Sequence, residues 1–287
     1  MTWEETIQYI RTQPEYNELV GQAYFEENLS LNVERFRNSE EFKETLRLIK
    51  TYAPNAKSIL DIGSGNGISS ISFALQGYNV TVSEPDPSDS IGTGAIRKLK
   101  VQYGITKMDI YEDFAENIKF ENDAFDIVYI RQAMHHANDL QIFITECSRV
   151  LKPNGMLFTV RDHVIYDYED KQLFLHAHPL QKFYGGENAY TSSEYKLAMK
   201  NAGLNILQEF RYYDSVINYF PLTNESLNLN RTKLISEMKA KLQNMIGSFA
   251  RFPLIFDLYK WKNRASLVPD EKKIAGRMYS YIAQKKR

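Results

Sequence analysis

Apolar residues between positions 58 and 161 form short continuous runs that alternate with helical patterns. Four of the runs predict buried strands, at residues 58–62, 79–83, 125–130 and 155–161. Apolar positions from Leu140 to Leu151, Cys147 among them, recur at the three- and four-residue spacing of an amphipathic helix. Strands and helices that alternate in this way predict βαβ units and a parallel sheet.

The segments on either side of this region carry mainly helical patterns. The first 50 residues predict two or three amphipathic helices that cover the sheet. Thr191 and Glu194 have the spacing of a capping box, which predicts that a helix starts there. Further elements are predicted in the order strand, helix and strand, at residues 204–213, 227–246 and 277–283.

Together these elements predict a doubly wound α/β fold with a mostly parallel, seven-stranded, Rossmann-like sheet. A helical N-terminal cover and a helical insertion before the last strand complete the predicted architecture. The expected segments are the cover at 1–50, a ligand-binding core at 51–213, a helical insertion or lid at 214–274, and the final strand with a basic tail at 275–287.

Composition narrows the class of protein. The chain has 287 residues, 43% hydrophobic and 25% charged, which is ordinary for a globular protein. A single cysteine excludes an intrachain disulfide and suits a reducing compartment. The N-terminus lacks the pattern of a signal peptide, and no apolar stretch approaches the roughly 20 residues that span a bilayer. A cytoplasmic location is therefore expected.

Charge is unevenly distributed along the chain. The net charge is −1, yet residues 231–287 contain 14 Lys and Arg against four acidic residues. This basic part is also rich in aromatics, among them Phe249, Phe252 and Trp261. Three interpretations stay open: contact with phosphates, an interfacial membrane segment, or a solvated face whose aromatics form the insertion's own core.

A glycine-rich turn follows the first predicted strand. Gly63, Gly65 and Gly67 allow a tight turn and a close approach of the backbone to a ligand. Glu84 stands at the end of the second strand, where a carboxylate can accept both hydroxyls of a ribose. Asp61 precedes the turn and would repel a pyrophosphate, but it suits the ammonium group of a methionine moiety. The pattern therefore favours S-adenosylmethionine over a dinucleotide.

These residues resemble the class I S-adenosylmethionine-dependent methyltransferases. The similarity covers residues 36–161 clearly and the terminal strands loosely. The segments that carry it are residues 61–67, Glu84, and residues 113–118, 125–128 and 149–155. The resemblance implies that the core at 51–213 binds S-adenosylmethionine. The cofactor-binding residues that it implies are Asp61, Gly63, Ser64, Gly65, Glu84, Phe114, Ala115 and Arg131.

The sequence departs from the family pattern at the adenine side of the site. The family often places an aspartate where Phe114 stands, and here Asp113 comes one residue earlier. Either Asp113 takes over the contact with the adenine amino group, or Phe114 packs on the ring while backbone groups bind its edge.

Histidines are the candidate acceptor-side residues. A methyltransferase that acts on a hydroxyl must remove a proton, and imidazole suits that role. All five histidines follow the fourth or fifth predicted strand or lie in the segment after them, His135 and His176 included. The predicted catalytic residues are His163, His136 and His178, with His163 as the favoured base. The loop at 184–188 is expected to hold a hydroxylated acceptor.

Two other kinds of site are disfavoured. A metal held by His163, His176 and His178 is conceivable because His-x-His can chelate, but no pattern of cysteine or acidic ligands accompanies it, so no metal is predicted. Nucleic acid is unlikely as the acceptor, because Arg131-Gln132-Ala133-Met134 stands where base-methylating relatives carry a proline-rich motif.

The sequence thus predicts methyl transfer to a small polar acceptor, with O-methylation of a sugar or glycan intermediate as the leading hypothesis. The alternatives are a membrane-associated or anionic lipid-linked acceptor, a module that binds S-adenosylmethionine without catalysis, and an NAD-dependent reductase. The sequence leaves the oligomeric state open.

Overall fold

The computed structural model describes residues 1–267 and 270–286. It divides into two compact units, Met1–Asn218 with Ala275–Arg287, and Tyr219–Ile274. Among the described residues, no helix is long and apolar enough to cross a membrane.

The first unit is built on one eight-stranded sheet. Its strands are β1 (Ser58–Ile62), β2 (Asn79–Ser83), β3 (Met108–Tyr111), β4 (Phe125–Arg131), β5 (Leu151–Ile165), β6 (Tyr190–Thr191), β7 (Leu204–Phe210) and β8 (Met278–Lys285). The order is β3-β2-β1-β4-β5-β8-β7, and the short β6 pairs with β5. Only β8 pairs antiparallel, with β5 and β7, among the described strands. The predicted mostly parallel, Rossmann-like sheet is confirmed.

Helices cover both faces of this sheet, as the alternating pattern predicts. They are α1 (Trp3–Arg11), α2 (Asn17–Gln22), α3 (Leu29–Asn38), α4 (Glu40–Tyr52), α5 (Ile68–Leu75), α6 (Thr93–Gln102), α7 (Leu140–Val150), α8 (Tyr168–Ala177), α9 (Ser192–Asn201) and α10 (Val216–Tyr219). Cys147 lies on the buried face of α7 and is fully buried, as its apolar spacing predicts.

The N-terminal cover contains more helices than the sequence pattern predicts. Ser39 ends α3 and also caps α4, where its hydroxyl accepts a hydrogen bond from the Phe42 N–H. This one residue therefore marks the boundary between two helices of the cover.

A β-bulge interrupts β5 near its end. Thr159 pairs with Tyr281, but Asp162 pairs with Tyr279, so β5 contains one residue more than β8 over this interval. Arg161 lies inside the bulge with a left-handed φ of 61°. An extra residue reverses which side chains point to each face beyond it. The bulge thereby sets the direction of Asp162 and His163.

The second unit is helical. It contains α11 (Asn224–Ile246) and α12 (Pro253–Lys262), joined by the short 3₁₀ helix Gly247–Arg251. The predicted apolar stripe of residues 227–246 lies within α11.

Candidate cofactor and acceptor site

The glycine turn lies between β1 and α5. Gly63, Gly65 and Gly67 all have positive φ angles, of 65°, 56° and 83°. The Gly63 N–H donates a hydrogen bond to the Ser83 carbonyl, which ties the turn to the end of β2. A Cβ on Gly63 would lie 2.5 Å from the Cβ of Ala133, so the turn packs directly against the segment that follows β4.

Glu84 faces the glycine turn from the end of β2. Its Oε2 accepts a hydrogen bond from the Gly65 N–H at 2.7 Å, and its Oε1 accepts one from the Asp86 N–H at 2.9 Å. The side chain is buried, and burial raises the pKa of its carboxyl to about 7. Each oxygen keeps a lone pair beyond its backbone donor, so the carboxylate can also accept from two ribose hydroxyls.

Asp61 lies fully buried under the same turn. Its Oδ2 accepts hydrogen bonds from the hydroxyls of Ser64, Ser69 and Ser70. Its Oδ1 is equally buried and has no hydrogen-bond partner among the described residues. Burial raises the pKa of Asp61, and the serine hydroxyls oppose that effect. An unpartnered buried carboxylate oxygen fits the ammonium group of a methionine moiety.

The adenine side of the predicted site is formed after β3. Asp113 is buried, Lys119 pairs with its Oδ1, and its Oδ2 has no partner among the described residues. Phe114 is 64% exposed, whereas Ala115 packs into the core. A contact between Asp113 and the adenine amino group, one of the two alternatives that the sequence leaves open, stays a prediction. A role for Phe114 or Ala115 against the ring stays a prediction.

Arg131, at the end of β4, is held by a buried carboxylate. Its Nε donates to Glu41 Oε1 at 2.6 Å, and its Nη2 donates to Oε2 at 3.1 Å. Burial alone would raise the pKa of Glu41, but Arg131 and Arg161 lower it. The Arg131 guanidinium is therefore committed to α4, and its direct contact with a cofactor stays a prediction.

The N-terminal cover is hydrogen-bonded to the glycine turn and to the loop after β2. The side-chain amide of Asn66 donates to the Tyr24 carbonyl at 2.7 Å. Ser90, in the loop after β2, donates its hydroxyl proton to Glu4 at 2.7 Å. The helices before β1 thus form one wall of the site.

Four of the five histidines come together at the carboxyl ends of β4 and β5. The ring centroids of His135 and His136 are 4.1 Å apart, those of His135 and His163 4.8 Å, and those of His163 and His178 5.8 Å. His135 and His136 lie on the 3₁₀ helix Met134–His136, directly after Ala133. The cluster therefore adjoins the glycine turn.

His176 does not join this cluster. It lies exposed on α8. Of the five histidines that follow the fourth and fifth strands in sequence, His176 is therefore the one that lies outside the cluster. Because α8 is amphipathic only weakly, its spacing did not show which side its histidine would face.

Asp162 orients His135. His135 Nδ1 lies 3.0 Å from Asp162 Oδ1, and the same oxygen accepts from the His135 backbone N–H at 3.2 Å. Both side chains are buried. Burial raises the pKa of the Asp162 carboxyl, although three backbone N–H groups oppose the shift. Burial also lowers the pKa of His135 well below its ordinary value, which keeps the imidazole neutral.

Glu187 lies in the loop at 184–188 that is expected to hold the acceptor, but the sequence analysis does not single it out as a site residue. Its Oε2 lies 3.8 Å from His135 Nε2, and its Oε1 lies 3.6 Å from His178 Nδ1. The carboxylate is buried, and burial raises its pKa to about 7. Gly185 and Gly186, which precede it, both have left-handed φ angles. The turn that they form places the Glu187 side chain among the histidines.

His163 is held on one side by a backbone carbonyl. Its Nδ1 lies 2.7 Å from the Gly276 carbonyl oxygen. Because a carbonyl only accepts, Nδ1 carries the proton and Nε2 carries the lone pair. Burial lowers the pKa of His163 to about 3 and that of His178 to about 4, so both rings are neutral near pH 7.

The model of the methyltransferase domain family matches residues 33–209, more than half of the chain. With the sheet order, the glycine turn and Glu84, this match defines the class. The chain belongs to the class I S-adenosylmethionine-dependent methyltransferases, and S-adenosylmethionine is its cofactor.

Curated relatives share part of the chain. It is 31% identical over 155 residues to the uncharacterized methyltransferase YcgJ of Bacillus subtilis (strain 168), which covers 50% of this chain and 56% of that protein. It is 31% identical over 112 residues to a ubiquinone biosynthesis O-methyltransferase of Vibrio atlanticus (strain LGP32), which covers 39% and 46%. The matches thus span about half the length of these relatives.

Solved structures share the fold. The crystal structure of YcgJ superposes with a TM-score of 0.54 at 18% identity, over 85% of this chain and 99% of that one. Geranyl diphosphate C-methyltransferase from Streptomyces coelicolor A3(2) superposes with a TM-score of 0.54 at 14% identity, over 85% and 76%. At these identities the likeness concerns the fold.

Proposed function

We propose that this methyltransferase methylates a hydroxyl group of a small polar acceptor, a sugar or glycan intermediate. The observation that carries the proposal is the group of His135, His136, His163 and His178 with Glu187, placed against the cofactor turn through Ala133. A hydroxyl acceptor requires such proton acceptors, whereas an amine that reacts as a neutral base has less need of them.

The chain's own residues suit the cofactor. S-adenosylmethionine supplies an electrophilic methyl group when it is bound. Glu84 would accept hydrogen bonds from the ribose hydroxyls. Asp61 Oδ1 would accept one from the ammonium group, and Asp113 Oδ2 would accept one from the adenine amino group. All three carboxyl groups are buried. Bonds made in such an environment position the cofactor more firmly than bonds made in water.

Proton removal is assigned to His163. Its tautomer is fixed by the Gly276 carbonyl, and Tyr195 donates a hydrogen bond to the His163 carbonyl at 3.0 Å, which holds the backbone. His136 and His178 would lie against the acceptor and help to position it. The relatives named as O-methyltransferases support oxygen as the acceptor atom.

The test measures the S-adenosylhomocysteine that forms when the chain is incubated with S-adenosylmethionine and each acceptor of a panel. The panel presents hydroxyls, amines or activated carbons. Release with hydroxylated sugars alone supports the proposal. Preference for an amine or carbon acceptor contradicts it. Cofactor binding without release on any acceptor would contradict it as well and would favour the non-catalytic alternative.

A second candidate is an acceptor linked to an anionic lipid, because the second unit exposes apolar side chains beside basic ones. Leu254, Leu258 and Trp261 follow one another at four- and three-residue spacing on α12 and are 84%, 66% and 63% exposed. Lys260 and Lys262 lie on the same helix. An exposed apolar stripe with adjacent lysines is typical of helices that lie at a membrane surface.

Sedimentation with vesicles tests this candidate. Binding to vesicles that contain phosphatidylglycerol, weak binding to phosphatidylcholine vesicles, and loss of binding in L254S/L258S would support it. Equal sedimentation of the parent chain and the variant, or none with either vesicle, would reject it.

A further inference from the structure

We propose that His135, His136 and Glu187 form a binding site for one divalent transition-metal cation of the Zn²⁺ type. The sequence alone predicts no metal. The proposal deepens the proposed function, on which its role toward the acceptor rests, but the binding of the cation stands on geometry of its own.

The three side chains already converge. One potential ligand atom from each lies within 4.8 Å of the other two. In a tetrahedral zinc site with bonds of 2.0–2.2 Å, ligand atoms are about 3.4 Å apart. His135 Nε2 and Glu187 Oε2, at 3.8 Å, are close to that separation. The other ligand-to-ligand distances must shorten when the cation binds. The exposed side chain of His136 and the loop that contains Glu187 would make that movement.

Asp162 prepares His135 as a ligand. It binds Nδ1, so that the Nε2 lone pair points toward Glu187. Metal-binding histidines almost always hand their other ring nitrogen to a carboxylate or a backbone carbonyl in this way. His136 shows a related arrangement, since its Nδ1 lies 3.4 Å from the Gly186 carbonyl oxygen.

His178 has a supporting place. Its Nδ1 is buried and makes no hydrogen bond among the described residues, and it lies 3.6 Å from Glu187 Oε1. A small movement lets Nδ1 donate to that oxygen while Glu187 Oε2 faces His135. His178 is therefore a positioning residue that fixes the carboxylate, and the cation keeps three protein ligands.

The ligand set selects the type of cation. Two imidazoles and one carboxylate favour Zn²⁺ and neighbouring transition metals, whereas Mg²⁺ prefers oxygen ligands with several waters. Three protein ligands leave a coordination position open, as in catalytic zinc sites. That position would take a hydroxyl oxygen of the acceptor, beside the cofactor turn that Ala133 contacts.

Calorimetry with Zn²⁺ alone tests the site, on the tag-free full chain after treatment with a chelator. One equivalent of Zn²⁺ is expected to bind. Loss of a residue that supports a metal ligand weakens metal binding by about 10–100-fold. Glu187→Gln and His136→Ala remove ligands and should each weaken Zn²⁺ binding by at least that factor. His176→Ala is the matched control and should bind as the parent does. Absorption spectra with Co²⁺ should show tetrahedral bands in the parent and lose them in His136→Ala.

Equal Zn²⁺ affinity in the parent and both site variants would overturn the proposal. His136 is exposed, so His136→Ala remains informative even where Glu187→Gln fails to fold. Methylation of a hydroxyl by a chain that binds no Zn²⁺ would refute the metal site and leave the proposed function standing. Specific Zn²⁺ binding without methylation of any hydroxyl would refute the proposed function and leave the metal site standing.

Discussion

At the scale of single residues, buried carboxyl groups line the proposed cofactor side of the site. Glu84, Asp61 and Asp113 are buried, and Asp61 and Asp113 each keep one oxygen without a partner among the described residues. An unpartnered buried polar atom costs free energy. A ligand that donates hydrogen bonds to these oxygens recovers that cost, and the recovery contributes to its affinity.

Glu84→Ala should weaken the binding of S-adenosylmethionine by about 1–3 kcal/mol, because ribose hydroxyls then lose their acceptor. Calorimetric titration measures the change. Glu209→Gln is the control, since Glu209 lies on the edge strand β7 and pairs with Lys196. Unchanged affinity in Glu84→Ala would remove this residue from the ribose site.

His163→Ala should lower turnover about 100-fold or more while the affinity for S-adenosylmethionine is kept, since a general base contributes on that order. Added imidazole should restore part of the rate by entering the space that the side chain leaves. A purely structural role predicts no such rescue. Full turnover in the variant would place the base elsewhere.

At the scale of elements, the strand and helix pattern was predictable because the strands are buried on both faces and therefore form continuous apolar runs. The positions of β1 and β2 follow from such runs, and Gly63 and Gly77 mark the ends of β1 and α5. The β5 bulge was not predictable, since Arg161 gives no sign of a left-handed conformation. The contacts of Glu187 with His135 and His178 were not predictable for a similar reason: a loop without periodicity gives no direction for its side chains.

The fit between the glycine turn and the segment after β4 can be tested with a matched pair of variants. Gly63→Ala places a Cβ 2.5 Å from the Ala133 Cβ, whereas Gly77, also at positive φ, has open space around it. Gly77→Ala should cost about 1–2 kcal/mol for the left-handed conformation. Gly63→Ala should cost about 1–3 kcal/mol more through overpacking. Equal costs, measured by denaturant unfolding, would contradict the close packing.

At the scale of the whole molecule, the site combines groups that titrate in opposite senses. Burial raises the pKa of Glu84 to about 7 and lowers that of His163 to about 3. Glu84 binds its proton more tightly in the folded chain, so its contribution to stability is present at low pH and is lost as pH rises toward 7. His163 acts in the reverse sense, and its contribution is lost as pH falls below its ordinary value of 6.5.

Glu84→Gln separates these two contributions. The free energy of unfolding of the variant, minus that of the parent, should increase by about 2–3 kcal/mol between about pH 5 and about pH 8, because only the parent must ionise a buried carboxyl. Denaturant titrations at several pH values, without cofactor, measure this difference. A difference that does not change with pH would show that Glu84 titrates normally.

The acceptor site could not be derived from the sequence, because it is formed by contacts between segments that are distant in the chain. His135, His163 and Glu187 are brought together by β4, the β5 bulge and the Gly185-Gly186 turn. Each segment shows polar residues by itself, but only the fold shows that they share one site. The residues proposed to bind the cofactor, in contrast, lie on a turn and a strand end that are close in sequence.

The most direct test of the central claim is ¹³C NMR of the product formed with methyl-¹³C S-adenosylmethionine and hydroxylated sugar acceptors. The chemical shift of the transferred methyl group distinguishes oxygen, nitrogen and carbon as the atom to which it is bound. An O-methyl signal is the expected result, formed more slowly by His163→Ala and, at limiting S-adenosylmethionine, by Glu84→Ala. An N-methyl or C-methyl signal, or transfer that is independent of the histidine cluster, would contradict the account.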